Sequence, residues 1–132
     1  MRKFIFAVLV MVLNCISINA QSFVCADLSF KGSDLTPKEI QNEKKNTLGS
    51  KATITVFDKY IKLVLTNNKG KVESYVLDKV NGAEYQYSEK TSYGYNYKMV
   101  VKLQKIVAYI KGFTVDVYKD YKLQGNLTFK RD

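Results

Sequence analysis

The sequence predicts an all-β domain: a small antiparallel meander barrel of about eight or nine strands, with one short helix between strands one and two. Three observations predict it. Short segments that alternate apolar and polar residues follow one another from Ser22 to Lys130, with turn signals at roughly the 8–12-residue spacing of all-β folds. Most of the breaks are tight enough for hairpins, which favours a meander over a Greek key. A meander of this size has two exposed edges, and closing it into a barrel removes both. A β-sandwich is the alternative.

Residues 1–20 are expected to be a secretory leader, with the domain occupying 21–132. Arg2 and Lys3 give a positive start, Phe4 to Leu13 is unbroken apolar sequence, and Ala20 is the small residue expected before a cut. The apolar run falls short of the about 20 residues that span a bilayer. A lipoprotein reading at Cys15 meets a poor fit in Asn14. The leader resembles those of Gram-negative exported proteins, which implies a secreted or periplasmic location and no transmembrane segment after cleavage.

Ser22 to Lys31 forms the first strand, with Val24, Ala26, Leu28 and Phe30 on one face. Thr36-Pro37-Lys38-Glu39 then starts a helix: Thr36 caps, Pro37 suits the first helical position, and Glu39 completes a capping box. Gln41 to Asn46 offers no apolar stripe, so the helix should lie on the rim rather than in the core. Ala52–Phe57 and Tyr60–Thr66 pair across Asp58-Lys59. Asn67-Asn68-Lys69-Gly70 is a strong turn, followed by a strand over Lys71–Asp78 with Tyr75 and Leu77 on one face. Asn81-Gly82 leads into a hairpin from Glu84 to about Gln104, turning at Ser92-Tyr93-Gly94. Val100 makes both faces apolar at its level, as in a central strand. Ile106–Lys111, Phe113–Tyr118 and Tyr121–Lys130 close the chain, broken at Gly112 and Lys119-Asp120, with a bulge or bend expected at Gly125.

This layout looks like the lipocalin and fatty-acid-binding architecture. The likeness is one of architecture alone, since the Gly-x-Trp signature of lipocalins is absent from a chain with no tryptophan.

Composition excludes several chemistries. The chain has no histidine, which removes Ser-His and Cys-His nucleophile pairs and the commonest metal ligand. Once the leader is cut, Cys25 is the one cysteine left, so no intrachain disulfide or thiolate zinc site can form. Cys25 lies among apolar residues and should be a buried thiol. The glycines are spread singly over turns, without a phosphate loop. Glu73, Asp78, Glu84, Glu89 and Asp116 could supply a carboxylate pair, but each has a lysine nearby in sequence, which suits solvated pairing. No enzyme, cofactor or metal is expected.

Tyrosine is the enriched residue: of ten in the chain, five lie between Tyr85 and Tyr97. Tyr85, Tyr87, Tyr93, Tyr95 and Tyr97 are the candidate binding residues, because a phenol offers both a flat apolar face and a hydroxyl. Cross-strand packing explains four of them equally well; Tyr93, at the loop tip, is not explained that way. The chain carries a formal charge of +9, and +7 once Arg2 and Lys3 leave with the leader. Such a surface attracts anions or simply keeps a β-protein soluble; nucleic acid is not an expected partner for an exported chain.

Two functions follow as expectations. The first is a non-catalytic binding module for an apolar or glycan ligand, which a cavity of about 300 Å³ or more lined by tyrosine and aliphatic residues would support. The alternative is a cell-envelope protein that binds an anionic partner through its basic surface and tyrosine hairpin.

Overall fold

A computed structural model describes residues 20–32 and 34–132. Eight strands run β1 (Ala20–Phe30), β2 (Lys51–Val56), β3 (Tyr60–Thr66), β4 (Val72–Asn81), β5 (Glu84–Lys90), β6 (Asn96–Ile106), β7 (Tyr109–Lys119) and β8 (Lys122–Arg131), with helix α1 (Pro37–Thr47) between β1 and β2. Each strand pairs antiparallel with the next, and β8 pairs back with β1 from Phe23–Arg131 to Phe30–Gly125. The sheet is therefore a closed meander barrel and not a sandwich. Nearly all of the expected leader, residues 1–19, lies outside the described residues; Ala20 opens β1 opposite Thr55.

The strand count is eight because Gly112 does not break the chain. It lies inside β7, opposite Gln104, where the β6–β7 register shifts by a bulge. A Cβ on Gly112 would sit 2.5 Å from the Phe129 carbonyl oxygen, so the missing side chain is what allows β8 to close on β7. The turn instead falls at Val107-Ala108, with Val107 at φ 57°. A valine in the left-handed region carries no sequence signal, since β-branched residues avoid it. Gly125 does sit at a bulge, as expected, opposite a register shift between Val117 and Tyr118. A third bulge, between Cys25 and Asp27, breaks the single alternating face expected for β1. Phe23 and Cys25 point inward before it and Leu28 is buried after it. Two other turns move by one residue, to Gly82-Ala83 and Asp120-Tyr121.

Inward positions are apolar and outward ones largely polar. Ile54, Ile61, Leu63, Leu77, Tyr85, Val101 and Phe113 are fully buried. Lys62, Ser74, Asp78, Gln86, Lys98 and Lys102 alternate with inward residues along β3 to β6. This polarity is the reverse of that of a membrane-spanning barrel, whose lipid face is apolar. Val100 is buried on the outer side of β6. Cys25 is a buried free thiol whose pKa burial pushes up, so it is less nucleophilic than an exposed one.

The two ends of the barrel differ. One carries the β2–β3, β4–β5 and β6–β7 turns; the other carries α1 and the β3–β4, β5–β6 and β7–β8 connections. At the turn end Phe23 meets Phe113 edge-on at 5.1 Å and Phe113 stacks on Phe129 at 4.6 Å. Arg131 lies over the rings of Phe23 and Tyr109 and donates from Nε to the Ile110 carbonyl at 2.8 Å. Its guanidinium thus plugs that end.

At the helix end, Thr36 caps α1 as expected. Its hydroxyl accepts from Glu39 N at 3.2 Å, and the Glu39 carboxylate accepts from Thr36 N at 2.9 Å. That pairing holds the Glu39 pKa below its usual value. No helix residue is buried. Polar bonds hold α1 in place: Asn68 Nδ2 donates to the carbonyls of Lys45 and Leu48, both at 2.8 Å, and Asn68 N donates to Asn46 O.

Candidate functional site

The barrel interior is filled at the turn end and open under α1. Inward side chains of β3, β6, β7 and β8 (Leu65, Met99, Val115, Val117, Leu127 and, deepest toward the turn end, Phe129) floor a cavity of about 310 Å³. Its rim is polar: Glu43 and Thr47 from α1, Ser50, Asn67, Lys71, Glu73, Tyr75 and Tyr97. A second cavity of about 230 Å³ shares Glu43, Thr47, Val117 and Leu127 with the first and adds Leu28, Phe30 and Leu35. The two adjoin through those shared residues, forming a chamber with an apolar floor under a polar helix. A larger depression of about 520 Å³ at the turn end lies between the Phe57-Asp58 and Ala108 turns, above Ile110. It is more open and has no inward aromatic hydroxyl.

Tyrosine crowds one wall of the helix-end cavity because of a local failure of strand pairing. The β4–β5 ladder stops at Asp78–Gln86, whereas β3–β4 continues to Thr66–Val72 and β5–β6 to Lys90–Asn96. Lys79 N donates to Lys59 O, so odd-numbered residues of β4 bond β3 and Val72, Ser74 and Val76 turn their main-chain groups toward β5. The wall splits there. Tyr75 from β4 and Tyr87 from β5 close it from inside, edge to face at 5.3 Å, and Tyr87 meets Tyr97 of β6 at 6.5 Å.

Each of the first two hydroxyls is tied to a carboxylate two residues along its own strand. Tyr75 donates to Glu73 at 3.3 Å, and Tyr87 donates to Glu89 at 2.8 Å. Lys71 Nζ lies 3.6 Å from Glu73. Burial pushes the Tyr97 phenol up to about 12, helped by Glu73 and Glu89. Burial also raises Tyr75, with Tyr97 and Glu73 adding to it. Tyr87 is raised mainly by its bond to Glu89. All three phenols are therefore neutral at physiological pH. Ser50 is the buried polar residue of the core, 7% exposed, and among the described residues no hydrogen bond reaches its hydroxyl.

The five tyrosines read from the sequence separate into three groups. Tyr85 is core, 1% exposed. Tyr97 lines the cavity, and Tyr87 packs behind it against Tyr75 and Tyr97. Tyr93 and Tyr95 form a stack at the β5–β6 tip, 6.4 Å apart, with Lys119 Nζ over the Tyr95 ring at 4.3 Å; Tyr93 is exposed. Sequence reasoning missed Tyr75, Ser50 and the helix residues Glu43 and Thr47. The alternation of Tyr75 with Leu77 was a usable signal, because it marks Tyr75 as inward. Of the five candidate acids, Glu73 lines the cavity and Glu89 accepts from Tyr87, which packs against the lining tyrosines. Asp116 instead bonds Asn126 on β8.

Among the described residues no group of acids, cysteines or histidines could hold a metal, and no helix is long and apolar enough to cross a membrane. No protein-family model, curated protein or solved structure matches the chain.

Proposed function

We propose that this protein is an exported, non-catalytic binding module that takes an apolar or amphipathic small molecule at the helix end of its barrel. The observation that carries this reading is the cavity of about 310 Å³ with an aliphatic and aromatic floor and a rim of hydroxyls. Its volume falls at the lower end of the ~300–1,000 Å³ range of small-molecule pockets. An apolar ligand fits the floor better than a glycan, since Leu65, Met99, Val115, Val117, Leu127 and Phe129 offer a sugar no hydrogen bonds. The reading is one of holding rather than turnover. The chain has no histidine, and the rim acid Glu73 is occupied by Lys71 and Tyr75.

The test is titration with the neutral apolar fluorophore N-phenyl-naphthylamine. Wild type should enhance its emission saturably, and Val117→Trp, which fills the chamber from a residue shared by both cavities, should abolish the enhancement while the far-ultraviolet spectrum stays unchanged. Equal binding by the two proteins would refute the cavity as the site.

The Tyr93–Tyr95 stack favours a second reading, contact with an envelope component through the β5–β6 tip. Lys119 supplies a cation there, though Asp34 shares it at 3.9 Å.

A further inference from the structure

The net charge of the chain suggests an anionic partner, but the cavity has the opposite character. The charged groups that line it are Glu43, Glu73 and Lys71. Lys71 is paired with Glu73 and is well exposed. Glu43 projects from α1 with no salt bridge among the described residues. The charges that act on the Tyr97 hydroxyl, from Glu73 and Glu89, are both negative. Tyr75 and Tyr97 line the same space, and an aromatic ring can attract a cation to its face. The Ser50 hydroxyl, on a buried residue and with no hydrogen bond among the described residues, adds a polar group that a ligand can satisfy.

Resting on the cavity reading above, we propose that the ligand is an amphiphile with an ammonium head. Its tail lies on Met99, Val117 and Leu127. Its head lies at the rim, between the Glu43 and Glu73 carboxylates and against the tyrosine faces. A carboxylate or phosphate head meets a rim that stays net negative there, because Lys71 offsets Glu73 and leaves Glu43 uncompensated. The positively charged outer surface works against this preference, because it repels a cation in bulk solution and attracts an anion. Nonspecific adsorption therefore cannot produce the expected result.

Displacement of N-phenyl-naphthylamine tests this, using dodecylammonium and laurate, which match in chain length and differ in head charge. Both are used below their micelle concentrations at neutral pH. On wild type, dodecylammonium should compete at about tenfold lower concentration than laurate. Glu73→Gln and, separately, Glu43→Gln should each cut that ratio by roughly threefold, and because it is a ratio of two competitors on one variant, any change in the fluorophore's own affinity cancels. Glu43 is exposed on a helix with no buried residue, so its variant keeps the test open if Glu73→Gln folds poorly. Laurate competing as well as or better than dodecylammonium would overturn the head-group assignment and leave the cavity reading standing. Failure of the fluorophore to bind wild type at all would overturn both.

Discussion

The turn end and the helix end are built from the same strands in one register, yet they do different work. Along β7 the inward residues run Ile110, Phe113, Val115 and Val117. The first two are buried against other core side chains, Val115 is buried at the floor of the cavity, and Val117 lines it without being fully buried. Phe23, Phe113 and Phe129 interlock at the turn end and Arg131 seals it. The helix end has hydroxyls, carboxylates and a helix that buries nothing. Barrel closure therefore does not require a filled interior. One half supplies the apolar burial that stabilises the fold, and this frees the other half to remain hollow.

The largest expected effect sets the two halves directly against each other. Phe113→Ala should cost about 3–5 kcal/mol in chemical denaturation. Val117→Ala, four residues along on the same strand, should cost well under half of that. Equal losses would mean that the two ends are packed alike. A smaller effect concerns the roof. Asn68→Ala removes two bonds to carbonyls at the end of α1 and should cost about 1 kcal/mol. Because the helix buries no residue, the loss should appear as faster amide exchange in α1 with little change in the global midpoint. A shift of the midpoint by the full amount would show that α1 is part of the cooperative core.

The smallest effect is on pH dependence. The Tyr97 phenol rises from 10.0 to about 12 in the folded chain. Between those values the unfolded chain has lost a proton that the folded chain keeps. Stability should therefore be unaffected by this group below pH 10 and fall as pH rises through the window. Tyr97→Phe should make the fall shallower without removing it, because Tyr75 is raised as well. Denaturant midpoints measured across that range, with tyrosinate absorbance as the second readout, check the sign.

Much of the barrel was legible because its devices are local. The Thr36–Glu39 capping box, the Asn67–Gly70 turn and the Gly125 bulge each have residues that suit them. The places that were not legible depend on contacts distant in sequence. Gly112 reads as a breaker, and only its approach to Phe129 shows that it is a closure point. Val107 takes a turn conformation that its side chain disfavours. The tyrosines were visible as an enrichment, but their separation into core, cavity wall and loop tip depends on where the β4–β5 ladder ends. Tyr75 lies outside the enriched hairpin and joins it only in three dimensions.

The split between β4 and β5 has a consequence for how the chain behaves in company. A sealed barrel offers no template to a foreign strand, but here Val72, Ser74 and Val76 present main-chain groups that no β5 residue pairs, and the two valines are themselves 58% and 53% exposed. Such an edge invites self-templated aggregation unless it is guarded. Lys71 and Glu73 stand on one lip and Glu89 and Lys90 on the other, while the rings of Tyr75 and Tyr87 occupy the gap from within. An incoming strand would have to desolvate those charges and displace the rings, so residues that shape the chamber also keep neighbouring copies of the protein apart.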